Sequence, residues 1–348
     1  MSGNRLLNEE IYNSKLYFEK DFDLRLEKEL LDSPLKENDV LIRTVYSLIS
    51  PGTELALYTG THVGISDPNN TFAKYPFYPG YALVGEIAAV GSDVEHYSIG
   101  DFVYATGKHA SYNVLSTQNQ PISPIIAISH QSELERIPFA RLAGISMTAI
   151  IQSNIRVGDV VVVIGMGLIG NMAAQLYALL GAEVVVIDVV EERLLIAQQV
   201  GIQHTILATD AAQWKEKLQQ LMKREQADIV VEATGSPHLV VPALELVKNM
   251  GQVIALGSTR SHTKINVYEH IHRKGVRFIG AHEGLQNDSD FPSNRYEITR
   301  YMLRLINDNI LKIGPLITNK ITYTEAQRGY EMLLHQRHEA LGVLLQWK

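Results

Sequence analysis

At 348 residues the chain exceeds what one hydrophobic core usually serves, so two domains are expected. Its 46% apolar and 20% charged residues exclude a disordered chain, and a net charge of −7 with no run of Lys or Arg excludes a phosphate-backbone track, hence a nucleic-acid partner. It contains no cysteine, which excludes disulfides, thiolate nucleophiles, iron–sulfur clusters and every cysteine-bearing zinc site. In chain order, residues 1–20 hold no leader-like apolar run, and the apolar runs elsewhere are strand-length, short of the ~20 residues a bilayer span needs. The chain therefore reads as soluble, unexported and cytoplasmic, with no membrane partner. Up to about residue 125 the pattern is one of short strands broken by turns: 39–48, then Ser50-Pro51-Gly52, 82–90, Gly91, Gly100-Asp101 and Phe102-Val103-Tyr104. That spacing predicts a β-rich, barrel-like domain.

From Arg136 the texture changes. Gly158-Asp159 marks a turn, and 160–164 is a run of β-branched residues that predicts a strand buried on both faces. A helix is predicted over 171–180, stopping at Gly181, then a strand at 184–187 and a helix over 191–200 with acidic residues in its first turn. The rhythm continues through strands at 228–231 and 253–256, which builds an α/β unit with a helix-covered parallel sheet. The tail holds amphipathic helices near 296–307 and 324–335 and ends in an apolar stretch at 341–345.

Gly165-Met166-Gly167-Leu168-Ile169-Gly170 follows the first of these strands and opens the first helix, and Asp188 ends the next strand about 20 residues on. In that context the glycines define a Rossmann-type, doubly wound dinucleotide site. Gly165 permits the tight turn, Gly167 lets backbone approach a pyrophosphate, and Gly170 lets helix pack on strand. The pyrophosphate would rest on the helix N-terminus, and Asp188 would accept from the adenosine ribose hydroxyls. A 2'-phosphate would meet an uncompensated carboxylate, with Arg193 the nearest basic residue, so NAD is favoured over NADP.

Val84-Gly85-Glu86-Ile87, Val90-Gly91, Gly100-Asp101-Phe102-Val103, Thr148-Ala149, Val157-Gly158-Asp159, the glycine loop, Glu232-Ala233-Thr234-Gly235 and Gly251-Gln252-Val253 together resemble the medium-chain dehydrogenase/reductase superfamily over nearly the whole length. The resemblance implies a GroES-like, β-rich catalytic domain over 1–142, an inserted Rossmann domain over 143–285 and a return over 286–348. It places cofactor and substrate in the cleft, Thr148, Thr234 and Gly235 beside the nicotinamide, and a homodimer or homotetramer joined near 277–281. The zinc enzymes of that family carry a cysteine after the first strands and a His-Glu pair before V-G-x-V. Here those places read Ser50-Pro51-Gly52-Thr53-Glu54 and Pro79-Gly80-Tyr81-Ala82, similar to a zinc-free branch that includes bacteriochlorophyllide and sugar-type dehydrogenases.

Without zinc, the substrate oxygen needs a protein group to polarise it and exchange a proton. Tyr81 and His109 are the candidates, with Glu54 and Ser50 to orient or relay; the alternatives are a packing aromatic and a histidine satisfied by backbone. Lys108 reads as a solvated charge. His62, Glu54, Glu86 and His109 could hold an unusual metal, though none has helical ligand spacing. His282 and Glu283 could approach the nicotinamide or serve only a loop, and the polar, aromatic loop 60–79 would rim a site for a small hydroxylated molecule. Three readings follow: an NAD-dependent dehydrogenase of a sugar-, polyol- or cyclitol-like secondary alcohol; a zinc-free quinone or enoyl reductase; and a catalytically silent NAD-binding sensor.

Overall fold

A computed structural model describes residues 10–31, 34–129 and 133–348. Residues 1–9, on which part of the leader argument falls, lie outside the described residues. Two compact units are present. One takes residues up to Arg141 together with 294–310 and 317–348; the other takes 142–293 and 311–316.

The first unit opens with a hairpin that sequence reading did not anticipate, β1 (Tyr12–Lys20) and β2 (Asp23–Leu30). Its turn places Phe22 at φ 55°, a position usually marked by Gly or Asn, so no local signal announced it. There follow β3 (Asp39–Leu48), α1 (Thr53–Tyr58), β4 (Leu83–Val90), β5 (Phe102–Ala105), β6 (Tyr112–Ser116) and β7 (Ile125–Ala127). Val40, Ile42, Leu83, Ile87 and Val103 point inward from these strands and form one core.

α2 (Phe139–Gln152) leads into the second unit, which alternates β8 (Val160–Ile164), α3 (Leu168–Leu179), β9 (Glu183–Asp188), α4 (Glu191–Gln199), β10 (His204–Leu207), α5 (Trp214–Met222), β11 (Ala227–Glu232), α6 (Val240–Leu246), β12 (Val247–Ala255) and β13 (Arg277–Gly280). The six strands pair in parallel in the order β10-β9-β8-β11-β12-β13. All five residues of β8 are buried, as a helix-covered parallel strand requires. Strand order reverses between β8 and β11, and at such a reversal the loops leaving the strand ends diverge to leave a ligand crevice.

The chain then returns through α7 (Arg295–Asn307), β14 (Ile317–Thr322), α8 (Ala326–His335) and β15 (Gly342–Gln346). β15 pairs with β3, giving the order β14-β15-β3-β4-β5-β7 with β6 also on β3. The fold is thus a GroES-like β domain and a Rossmann-type α/β domain. Two expectations need correction. The helix after the glycine loop begins at Leu168, not residue 171, so the loop's last residues are its first turn. The last helix begins at Ala326, after a 3₁₀ turn over Tyr323–Glu325.

α5 ends at Lys223 in the left-handed conformation, φ 58°. Lys223→Gly removes the Cβ penalty there and should stabilise the protein by about 1 kcal/mol, read as a higher thermal unfolding temperature; a lower one would contradict the reading.

Candidate functional site

In the Rossmann unit, the glycine loop can be tested position by position. Gly165 turns at φ +96°, and a Cβ there would stand 2.5 Å from Thr234 Cγ2. A Cβ on Gly170 would lie 1.8 Å from the Gly165 carbonyl oxygen, so only glycine lets α3 pack this close. Gly167 differs: nothing in the protein lies within 4 Å of its Cβ position. No intramolecular contact demands glycine there, whereas close approach of an external group would. The first helical bond runs from Asn171 N to Gly167 O at 2.9 Å, so the N–H groups of Leu168, Ile169 and Gly170 precede the helix's own ladder. Loop and helix end thus fit a pyrophosphate. Ser146 Oγ donates to Ile169 O at 2.8 Å and ties this turn to α2.

Asp188, at the tip of β9, is 7% exposed. Its Oδ1 accepts from Val189 and Val190 N at 2.7 and 2.9 Å, and its Oδ2 from Met166 N at 2.5 Å. It therefore fastens the glycine loop to the β9–α4 turn, a task not foreseen from sequence. Arg193 lies half-buried on α4. Thr148 is fully buried, and its hydroxyl accepts from Gln286 Nε2 at 2.8 Å, which also donates to Gly144 O at 2.8 Å. Gln286 went unnoticed because its partners lie some 140 residues away.

Glu232, at the tip of β11, was also missed as a functional group, although a carboxylate ending an apolar strand is a visible signal. It is 1% exposed and accepts from the backbone N–H and hydroxyl of Thr234 and from Gly235 N. Burial pushes its carboxyl up, and the bonds from Thr234 and Gly235 oppose this. It shapes the loop that meets Gly165.

In the β-rich unit, Glu54 and His109 meet in full burial, with Oε2 to Nε2 at 3.0 Å. His109 Nδ1 is 2.7 Å from Ser47 Oγ, so both ring nitrogens are engaged by side chains rather than by backbone. Tyr330 OH donates to Glu54 Oε2 at 2.6 Å, and Trp347 Nε1 donates to Ser47 Oγ at 2.8 Å. Burial, then the Glu54 charge, pushes the Tyr330 hydroxyl well above its ordinary range and keeps it a donor. Tyr81 is half-buried and its hydroxyl donates to Ser50 Oγ, while the Arg141 guanidinium stands 5.3 Å from its ring centroid. Ser47, Arg141, Tyr330 and Trp347 carry no local sequence signal.

Other candidates are drawn into local structure. His62 and His282 each cap a short turn, accepting from Gly64 N and Gly284 N. Lys108 is exposed, in keeping with a solvated charge, and its Nζ donates to Tyr78 O at 2.8 Å. In loop 60–79, Asn70 accepts from Phe72 and Ala73 N, and Tyr78 donates to Glu27, a bond that with burial pushes its hydroxyl up to about 12.

Glycine loop, acidic strand tip and β-rich partner unit define a nicotinamide-dependent dehydrogenase. The description "Alcohol dehydrogenase GroES-like domain" matches residues 36–122, and "Zinc-binding dehydrogenase" matches 169–297. The chain belongs to the medium-chain dehydrogenase/reductase superfamily, with its alcohol and polyol dehydrogenase-like members. It is similar to D-guloside 3-dehydrogenase of Escherichia coli K12, 24% identical over 89% of this chain and 93% of that one, and to sorbitol dehydrogenase of Halalkalibacterium halodurans, 25% identical over 89% and 92%. The crystal structure of galactitol-1-phosphate dehydrogenase from Escherichia coli shares the fold, with a TM-score of 0.78, 21% identity and coverage of 96% and 99%.

Among the described residues no three His, Cys, Asp or Glu side chains are grouped to hold an ion.

Gly167→Ala should leave the unfolding temperature unchanged yet weaken NADH binding, measured by fluorescence titration, whereas Gly170→Ala should lower both; equal behaviour of the two would refute the assignment of Gly167 to an external group. The raised Glu232 carboxyl gives a second test. The folded state holds this proton more tightly than the unfolded chain, so the stability it confers is complete below pH 4.5 and is lost as pH rises through the folded titration. Glu232→Gln should flatten that decline in unfolding temperature, and an unaltered profile would count against it.

Proposed function

We propose that the chain is an NAD(H)-dependent dehydrogenase that interconverts a sugar-, polyol- or cyclitol-like secondary alcohol and its ketone without a catalytic metal. The observation that carries this reading is the Tyr81–Ser50 hydrogen bond: the tyrosine in place of the family's histidine and the serine in the stretch that replaces its cysteine are bonded to each other. The relatives named for guloside and sorbitol support a polyhydroxylated substrate.

Asp188 supports NAD over NADP. Three backbone donors occupy three of the carboxylate's roughly four acceptor sites, which leaves capacity for a ribose hydroxyl and none for a second anion. Gly165, Met166, Gly167, Leu168, Ile169 and Gly170 would hold the pyrophosphate, and Thr148, Thr234 and Gly235 would border the nicotinamide end. When bound, the nicotinamide supplies or takes up the hydride.

The chain's own part is the proton. In the reducing direction Tyr81 gives its hydroxyl proton to the substrate oxygen, and the charge left on the phenol lies against the Ser50 hydroxyl, with the Arg141 cation 5.3 Å from the ring. His109 presents no open nitrogen, so its role is to hold Glu54, not to donate.

A panel of polyols, sugars and cyclitols assayed with NAD and NADP, beside quinones and enones, tests this. Turnover of secondary alcohols with NAD, insensitive to chelators and free of stoichiometric zinc, is expected, and Tyr81→Phe should lower kcat by roughly 10²- to 10⁴-fold with NADH binding retained. Undiminished turnover in that variant, or chelator-sensitive activity with one zinc per chain, would overturn it.

A further inference from the structure

We propose that Tyr330 and Trp347, both carried by the C-terminal return, are positioning residues for the Ser50–Tyr81 hydroxyl pair, acting through a buried brace of Glu54 and His109. The proposal rests on Tyr81 as the proton-transferring group, and its geometry can be followed segment by segment.

Tyr81 leaves a turn at Gly80, whose φ is +100° and whose Cβ position lies 2.3 Å from His109 N. His109 N in turn donates to Pro79 O at 2.9 Å. The backbone of His109 therefore abuts the turn that delivers Tyr81. Ser50 precedes α1, and its carbonyl accepts from Glu54 N at 3.1 Å, so Glu54 lies one turn beyond Ser50. Ser47 stands three residues before Ser50, on β3. Bonds from the His109 ring to Glu54 and to Ser47 thus clamp the two segments that supply the hydroxyl pair.

The direction of each bond follows from what the groups can do. Trp347 Nε1 only donates, so Ser47 Oγ accepts there and its own proton is available for His109 Nδ1. His109 Nε2 then carries the other proton toward Glu54 Oε2, which also accepts from Tyr330. These protons are assigned from the donor inventory. The result is a one-way chain from Trp347 through Ser47 and His109 to Glu54, with Tyr330 closing it. Glu54 Oε1 is buried with no hydrogen-bond partner, so its carboxylate depends on the two bonds to Oε2. In an interior this dry, loss of one donor leaves a desolvated acceptor, and the chain must shift to recover it.

Tyr330→Phe deletes a single donor, and Trp347→Phe deletes the indole N–H donor together with part of the ring. Tyr330 keeps its ring contacts with Phe18 and Tyr58, and residue 347 keeps an aromatic ring to stack on Tyr323, now 4.7 Å from it. Each variant should lower kcat about tenfold or more with KM for NAD unchanged within about twofold. In a Tyr81→Phe background neither should lower kcat further, because both act through that residue. An unchanged kcat in both, or a full additional loss in that background, would overturn the proposal. A readout independent of turnover separates this from the functional reading itself: with tyrosine labelled at ¹³Cζ, the resonance missing from Tyr81→Phe identifies Tyr81. That resonance should move in both Trp347→Phe and Tyr330→Phe, even if no alcohol is oxidised by the wild type, and its constancy in both would refute the brace.

Discussion

A carboxylate withdrawn from water has to be met by hydrogen-bond donors, and Glu54, Asp188 and Glu232, at 1%, 7% and 1% exposure, impose that demand on every loop to which chemistry is assigned. Asp188 is met by backbone N–H groups of the glycine loop and of the turn after β9. Glu232 is met by the loop after β11. Glu54 is met by side chains from two distant parts of its unit, Tyr330 on α8 and His109 in the segment before β6, and the second of these is bonded in turn to Ser47, which accepts from Trp347. Each loop is held in its conformation because another would strand a buried polar group without its hydrogen bonds, at a cost of about 1–3 kcal/mol.

The sheet explains why two of these carboxylates act in concert. β8 and β11 are neighbours, and chain direction diverges on either side of them. Their C-terminal ends therefore bring Gly165 against Thr234. Apolar β-branched strands provide a rigid base, glycines permit the approach, and the acids at the strand tips set the loops. Rigid elements positioning mobile chemistry is what a hydride donor and its acceptor require, since small misplacements are costly in rate.

The β-rich unit solves a different problem. On the proposed reading the substrate oxygen is polarised by hydroxyl groups that must be held in place, and a half-buried tyrosine bonded to a serine has little intrinsic rigidity. In the proposed brace the buried Glu54–His109 pair supplies that rigidity, because both partners are desolvated and hydrogen-bonded. On that reading His109, with both ring nitrogens engaged, serves as a strut and Tyr81 as the proton donor.

The glycine loop, the buried strand before it and the acid at the next strand tip were legible in the amino-acid order, because each rests on neighbours within about 20 residues. The lack of cysteine likewise narrowed the chemistry before any coordinate was known. The hairpin at β1–β2 was not legible, since its turn uses a phenylalanine where a glycine would have announced it. Nor could sequence reveal that Asp188 already serves the glycine loop, or that Tyr330 and Trp347 lie against Glu54 and Ser47 across 276 and 300 residues. Local backbone preference and side-chain type determined the elements and the kind of chemistry available. Only the closed structure decided which polar groups lose their water, because burial depends on what the rest of the chain brings up against them.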